Sequence, residues 1–226
     1  MATATTMKND ERSVEEIFSR LAASVDEFEE YNNPHASRVA SIAEGIARVL
    51  HLGRHDRFSL RIAALGHDLG EMVMDRDYIR RTGPLSAEER IDLARHPLIG
   101  EREAASAGAN RGVQLLIRWH HEWWNGTGYP DGLRFEQIPL AARILRVADS
   151  YAALTDARPF RQAYSEHHAR SHLLKWAGLE FDPQVVRAIL SLESITELKS
   201  YASIRGPSAV VTDEMISQMH NMITDL

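Results

Sequence analysis

An all-α fold is predicted by three features of this 226-residue chain. Apolar residues recur at helical spacing in one segment after another, alternating strand patterns are nearly absent, and Gly or Pro stands near the ends of the periodic runs. After a small polar start, expected to be frayed over residues 1–12, Ile17, Leu21, Val25 and Phe28 mark a first helix. Pro34 interrupts it. A second begins near His35 with Val39, Ile42, Ile46 and Val49 on one face, and Gly53 reads as its terminator. A third runs from about His55 to Ala64 and ends at Gly66-His67-Asp68-Leu69-Gly70. A fourth follows Pro84, with Ser86 as cap and Glu88 and Glu89 in its first turn, and closes at His96-Pro97. Another spans Gly112 to His121. Residues 125–138 read as a Gly- and Pro-rich loop, and a helix from Pro139 to about Leu154 comes next. Helices near 165–177 and 183–193 complete one helical domain over 13–195. A C-terminal appendage over 196–226 carries Met215, Met219 and Met222.

Composition narrows the function. Apolar content of 44% is enough for a sizeable core. The absence of cysteine rules out disulfides and thiolate metal sites, so any metal must be held by the 11 histidines and by carboxylates. A net charge of -6 argues against extended contact with nucleic acid, which favours basic surfaces. No apolar run is long enough to span a bilayer, and the start lacks the apolar core of a signal peptide, so a cytoplasmic protein is expected.

The chemistry concentrates at His35, His67-Asp68, His96, His120-His121 and Asp149. Their phase matters more than their number. His67 continues the face of Leu60 and Ala64. His120 continues that of Val113, Leu116 and Ile117, with His121 at its edge. Leu145 sets Asp149 inward, and His35 precedes Val39 by one turn. A lone histidine at a helix end more often caps or fills space than binds metal. A carboxylate on an apolar face is rarer, because burying it unpaired is costly. Asp149 beside Val147 and Ala148 is therefore the most telling residue. Imidazoles and carboxylates converging from separate helices make the kind of metal site that bundle cores hold. His51, His55, His167, His168, His172 and His220 join no such cluster and read as surface or capping residues. Trp123 and Trp124 read as a packed loop anchor.

Taken in order, the segments resemble the HD-GYP family of HD-type metal-dependent phosphohydrolases. The matching pieces are Tyr31 to Ala40 around His35, Gly66-His67-Asp68-Leu69-Gly70, Gly83 to Glu89, His96 to Gly100, His120-His121-Glu122 through Gly126-Thr127-Gly128-Tyr129-Pro130, and Val147-Ala148-Asp149 through Arg158-Pro159-Phe160-Arg161. His-Asp alone is a weak signal, whereas the ordered set is specific. The resemblance implies a cyclic di-GMP phosphodiesterase yielding the linear dinucleotide pGpG, and then GMP. It implies two divalent ions, iron or manganese, held by His35, His67, Asp68, His96, His120, His121 and Asp149. Asp68 would bridge them, with His67, Asp149 and His35 on one and His96, His120 and His121 on the other. Arg158, Arg161 and Tyr129 would meet the substrate. The Gly128-Tyr129-Pro130 loop would serve a signalling partner in some relatives, and a homodimer is compatible. Two ions a few Å apart can activate water and polarise a phosphodiester, and arginine forks fit phosphate oxygens.

The chain departs from the family pattern at several places. Glu71 stands where the family carries Lys beside the substrate, so Glu71 enters the set of catalytic candidates with Asp68. A carboxylate there either repels phosphate, in which case Glu71→Lys raises turnover, or serves the metal centre, in which case the same change lowers metal content. Asn125 and Phe160 replace a usual Asp and Tyr. Tyr31 takes the place of a Glu found in members with three metals, which favours two, although Glu29 and Glu30 lie close. Two other readings stay open. One is a signalling module that binds cyclic di-GMP or a protein without turnover, and the other is an enzyme for a different phosphoester.

Overall fold

A computed structural model of the chain describes residues 2–30, 34–81, 83–157 and 162–192, with side chains from Glu11 onward. The helices are α1 (Ala2–Phe28), α2 (His35–Val49), α3 (Arg54–Leu65), α4 (Leu69–Met74), α5 (Asp77–Arg80), α6 (Ala87–Leu93), α7 (His96–Ser106), α8 (Arg111–Trp119), α9 (Leu140–Thr155) and α10 (Glu166–Trp176). Residues 183–192 are helical as well. The described residues contain no strand, and a single isolated bridge joins Ala177 to Phe181. Met1–Leu190 forms one compact unit. The appendage expected over 196–226 lies outside the described residues, as do Tyr31, Arg158, Phe160 and Arg161.

The core is built around α3, whose Leu60, Ile62, Ala63 and Ala64 are wholly buried. It packs against α1, α2, α8 and α9. These supply Phe18, Val39, Ala43, Ile46, Ile117, Ile144, Leu145 and Val147, all at 0% exposure, so the site-bearing helices share one apolar interior. Burying such side chains is worth roughly 1.5–3 kcal/mol each before chain entropy is counted. The buried stripe of α1 runs through Phe18, Ala22 and Val25, about one residue round from the Ile17–Leu21–Val25 face expected.

Several boundaries differ from the sequence reading. Helix α1 reaches back to Ala2, so the stretch expected to be frayed is helical; its Ala, Met, Lys, Glu and Arg residues are good helix formers. Gly53 does not end α2. The chain turns at His51, whose φ is 56°, while Leu52 N–H bonds to the Ala47 carbonyl in a Schellman-like closure. Gly53 instead is the N-cap of α3. His96-Pro97 opens a helix rather than closing one. Pro97 sits in the first turn of α7, where a missing N–H costs nothing. Helix α7 escaped the periodicity because its buried face, His96, Pro97, Gly100, Glu101 and Ala104, carries no large apolar side chain. Ser86 does cap α6, in a reciprocal capping box with Glu89.

A cavity of about 400 Å³ is lined by Leu52, Ser59, Leu116, Trp119 and Leu140, and none of the seven candidate ligands lines it. No described helix is long and apolar enough to cross a membrane.

Candidate metal centre

Helix ends place the candidate ligands. His35 is the first residue of α2, and Asp26 accepts the N–H of the next residue, Ala36, at 3.1 Å. His67 and Asp68 occupy the turn between α3 and α4, with Asp68 the N-cap of α4. His96 opens α7, His120 is the C-cap of α8, and His121 follows it. Only Asp149 comes from the middle of a helix, α9. The turn between α3 and α4 fits beneath α7 because Gly70 meets Gly100 there: a Cβ on Gly70 would lie 2.0 Å from the His96 carbonyl oxygen.

The seven residues converge. His67 is 5.7 Å from His35 and 5.4 Å from His120 between ring centroids, and His120 is 5.1 Å from His96 and 4.1 Å from His121. Asp68 reaches both ways with different oxygens. Its Oδ2 lies 2.8 Å from His67 Nε2, and its Oδ1 lies 3.6 Å from His96 Nε2 and 3.7 Å from His120 Nε2. Asp149 Oδ1 is 3.5 Å from His35 Nε2 and 3.7 Å from His67 Nε2. Donor atoms of Asp68, His96, His120 and His121 lie within 4.8 Å of one another, and so do those of His35, His67 and Asp68. Asp68 belongs to both groups.

Hydrogen bonds aim the rings. His67, His96 and His120 each donate Nδ1–H to the carbonyl three residues back, on Ala64, Leu93 and Ile117, at 3.0, 2.8 and 2.6 Å. That fixes the tautomer and leaves each Nε2 lone pair turned inward, as a metal-binding histidine requires. His67 Nε2 is fully buried and faces two carboxylate oxygens, Asp68 Oδ2 at 2.8 Å and Asp149 Oδ1 at 3.7 Å, acceptors that cannot satisfy a bare imidazole lone pair. Burial, and then the neighbouring His120, push His96 down to about 3. Burial, then His120 and Arg146, hold His121 well below its ordinary value. Both are neutral near pH 7. Burial would raise Asp68 and Asp149, but the histidines around them hold both well below the usual carboxylate range, with Arg146 adding to the effect at Asp149. Against burial, Asp68 and Asp149 hold His67 well above its ordinary value, and Asp149 and Asp156 raise His35. Imidazoles set among ionised carboxylates in this way form an N/O donor set of the kind divalent metal ions take.

The loop after α8 forms a wall of the site. Tyr129 stacks on His121 at 4.8 Å and 21°. Gly128 permits the approach, since a Cβ there would lie 2.2 Å from the backbone nitrogen of Trp123. Trp123 packs on Trp176, and Trp124 packs on Phe135 with Arg143 over its ring, as a loop anchor should. Glu122, 2% exposed, closes the loop from inside by accepting N–H bonds from Asp131, Gly132 and Leu133 at 2.7, 3.1 and 2.9 Å. Glu122→Ala is expected to lower stability by about 2–4 kcal/mol in denaturant unfolding, because three backbone donors lose a charged acceptor. A loss of under about 0.5 kcal/mol, with unchanged amide exchange at 131–133, would refute that role.

Glu71 stands 3.8 Å from His96 Nδ1, the nitrogen that already donates to Leu93, and is absent from both donor groups. Four residues near the site went unread in the sequence. Asp156 Oδ2 lies 3.3 Å from His35 Nδ1, and Arg38 Nη1 is 2.5 Å from Asp156 Oδ1. Arg146 donates to His121 Nδ1 at 3.0 Å and to Asp149 at 3.3 Å, anchored by Glu180 through Nε at 3.0 Å. Arg146 lies one turn before Asp149 on α9, and Asp156, the C-cap of that helix, two turns after it, so helical phase carried a signal for both. Arg38 lies one turn from His35 on α2 and carried the same signal, whereas nothing local marked Glu180.

A helical bundle that aims histidines and ionised carboxylates at one interior point defines a helical domain with a candidate site for divalent metal ions. The chain belongs to the HD domain family, whose model matches residues 16–185, and to its HD-GYP branch. It is 35% identical over 206 residues to the cyclic di-GMP phosphodiesterase response regulator RpfG of Xanthomonas campestris, covering 88% of this chain and 54% of that one. It is 34% identical over 171 residues to the cyclic di-GMP phosphodiesterase PA4108 of Pseudomonas aeruginosa, covering 74% and 40%. A 3'3'-cGAMP-specific phosphodiesterase of Vibrio cholerae is 28% identical over 178 residues, covering 77% and 34%. The chain thus spans about half the length of the first of these relatives and less of the others. Among solved structures, the V. cholerae cyclic GMP-AMP specific phosphodiesterase V-cGAP3 superposes with a TM-score of 0.62 at 20% identity, covering 88% of this chain and 51% of that one. That likeness is one of fold.

Proposed function

We propose that the chain is a metal-dependent phosphodiesterase that opens cyclic di-GMP to pGpG, and further to GMP. One observation carries the metal dependence: Asp68 presents one oxygen to each of two donor groups, His35 and His67 on one side and His96, His120 and His121 on the other. The relatives named as cyclic dinucleotide phosphodiesterases support the substrate class. Asp68 would bridge two ions, with Asp149 completing the His35–His67 side. Iron or manganese suits this oxygen and nitrogen set, and a cytoplasmic setting goes with the substrate. Two divalent ions supply, when bound, charge neutralisation for the phosphodiester and a more acidic water. The residues of the chain do the rest. The backbone carbonyls of Ala64, Leu93 and Ile117 keep the rings oriented, Tyr129 walls the site beside His121, and Arg158 and Arg161 are assigned to the phosphate oxygens.

The test is direct. Metal content is measured, and the manganese-loaded protein is incubated with cyclic di-GMP and the nucleotides are separated. Two bound ions and conversion to pGpG are expected. Two ions without conversion, but with binding, would favour the signalling-module reading, and fewer than two would overturn the assignment.

Position 71 gives a second test. With its carboxylate near the N–H edge of His96, Glu71 is assigned to supporting that ligand. Glu71→Lys is then expected to lower metal content by up to one equivalent, because an ammonium would face the imidazole N–H. Full metal content together with higher turnover would reverse this assignment and make Glu71 a repulsive neighbour of the phosphate.

A further inference from the structure

The two donor groups sharing Asp68 differ in charge. On one side, His35 and His67 face a second carboxylate, with Asp149 Oδ1 at 3.5 and 3.7 Å. A third carboxylate stands behind His35. Asp156, 7% exposed, holds His35 Nδ1 at 3.3 Å. It is itself fixed by Arg38, whose guanidinium also bonds to Thr155 Oγ1 at 2.7 Å and to the Ala152 carbonyl at 3.1 Å. A carboxylate accepting the far N–H of a metal-binding histidine makes that histidine a stronger donor.

On the other side, Asp68 Oδ1 is the one carboxylate oxygen in the donor group, with His96, His120 and His121. The rings of His96 and His120 lean on neutral carbonyls, with Glu71 3.8 Å from the His96 edge. His121 is worse placed. Arg146 Nη1 is 3.0 Å from its Nδ1, and an arginine can only donate, so that lone pair is spent on a cation. Glu180, 8% exposed, keeps the guanidinium in place by holding both Nε and Nη2. Arg146 also touches Asp149, but through Oδ2, leaving Oδ1 toward His35 and His67.

We propose that the two ion positions load in order: the His35–His67–Asp149 side of Asp68 fills first and tightly, the His96–His120–His121 side fills second and weakly, and Asp156 and Arg146 set the difference. The proposal rests on the two-metal reading above. An enzyme that needs both ions then answers to divalent metal supply through its weaker position.

The experiment titrates the full chain, stripped by a chelator, with manganese(II) alone, and counts free ion by its paramagnetic resonance. The wild type is expected to take up two ions in steps at least about tenfold apart in affinity. Asp156→Asn, nearly isosteric, is expected to weaken the first step by roughly 10–100-fold and to leave the second. Arg146→Gln, which removes the cation but keeps a side-chain amide, is expected to tighten the second step by about tenfold and to leave the first. Far-UV circular dichroism checks that each variant is folded, and either variant alone suffices. Two ions of equal affinity, or a variant that moves the opposite step, would overturn the loading order while the two-metal centre stands. Uptake of one ion in total would overturn the two-metal reading and the order with it.

Discussion

Replacing Asp68 by alanine is expected to strip both ions and to abolish turnover, a larger effect than any single histidine substitution. Each histidine belongs to one donor group, whereas Asp68 belongs to both, with Oδ2 at 2.8 Å from His67 and Oδ1 at 3.6 Å from His96. The helices around it are held by the shared apolar interior of α1, α2, α3, α8 and α9, so folding is expected to survive. Asp68→Ala should therefore retain the helical circular dichroism of the wild type while metal analysis falls toward zero. Retention of two equivalents in the folded variant would sink the bridging assignment. Loss of one, with the other kept, would assign Asp68 to a single ion.

Gly70→Ala is expected to destabilise the fold and to disturb the site at once. Its Cβ would fall 2.0 Å from the His96 carbonyl oxygen and 2.8 Å from the Gly100 backbone nitrogen. Both are backbone atoms of α7, so no side chain can rotate away, and α4 and α7 must separate. Overpacking of this kind costs roughly 1–3 kcal/mol, and more where backbone must move. For a chain of this size that corresponds to a fall in Tm of about 3–10 °C or more. Because the His96 carbonyl carries the strain, His96 shifts with it, and metal content should fall in the same variant. A thermal melt and a metal content that both match the wild type would show that α4 and α7 are not packed as described.

Both expectations depend on contacts that differ in how far the sequence announces them. The all-α class was legible, because a 3.6-residue repeat is a local property and Leu60, Leu116, Ile117 and Leu145 keep it faithfully. The seven candidate ligands were legible for a related reason. Helical phase sends His67, His120 and Asp149 to the same side as their apolar neighbours, and helices that bury that side must bring those groups together. Local capping chemistry was legible at Ser86, where the reciprocal bonds with Glu89 lie within three residues.

Other features had no such signal. Helix α7 was hidden because its buried face carries no large apolar side chain to register as periodicity, and because Pro97 reads as a stop when it is a start. His51 ends α2 in a left-handed conformation that a glycine two residues later was expected to supply.

What the sequence determined by itself was the fold class, the identity of the ligand candidates and their inward phase, all consequences of spacing along single helices. The tertiary structure decided which carboxylate stands behind His35 and where the Arg146 cation lies against His121. Those facts join residues 121 apart for His35 and Asp156, and 34 apart for Arg146 and Glu180. The periodicity of a helix fixes which way a side chain points, but the partner it meets depends on which other helix is packed opposite. That choice is made by the whole core at once.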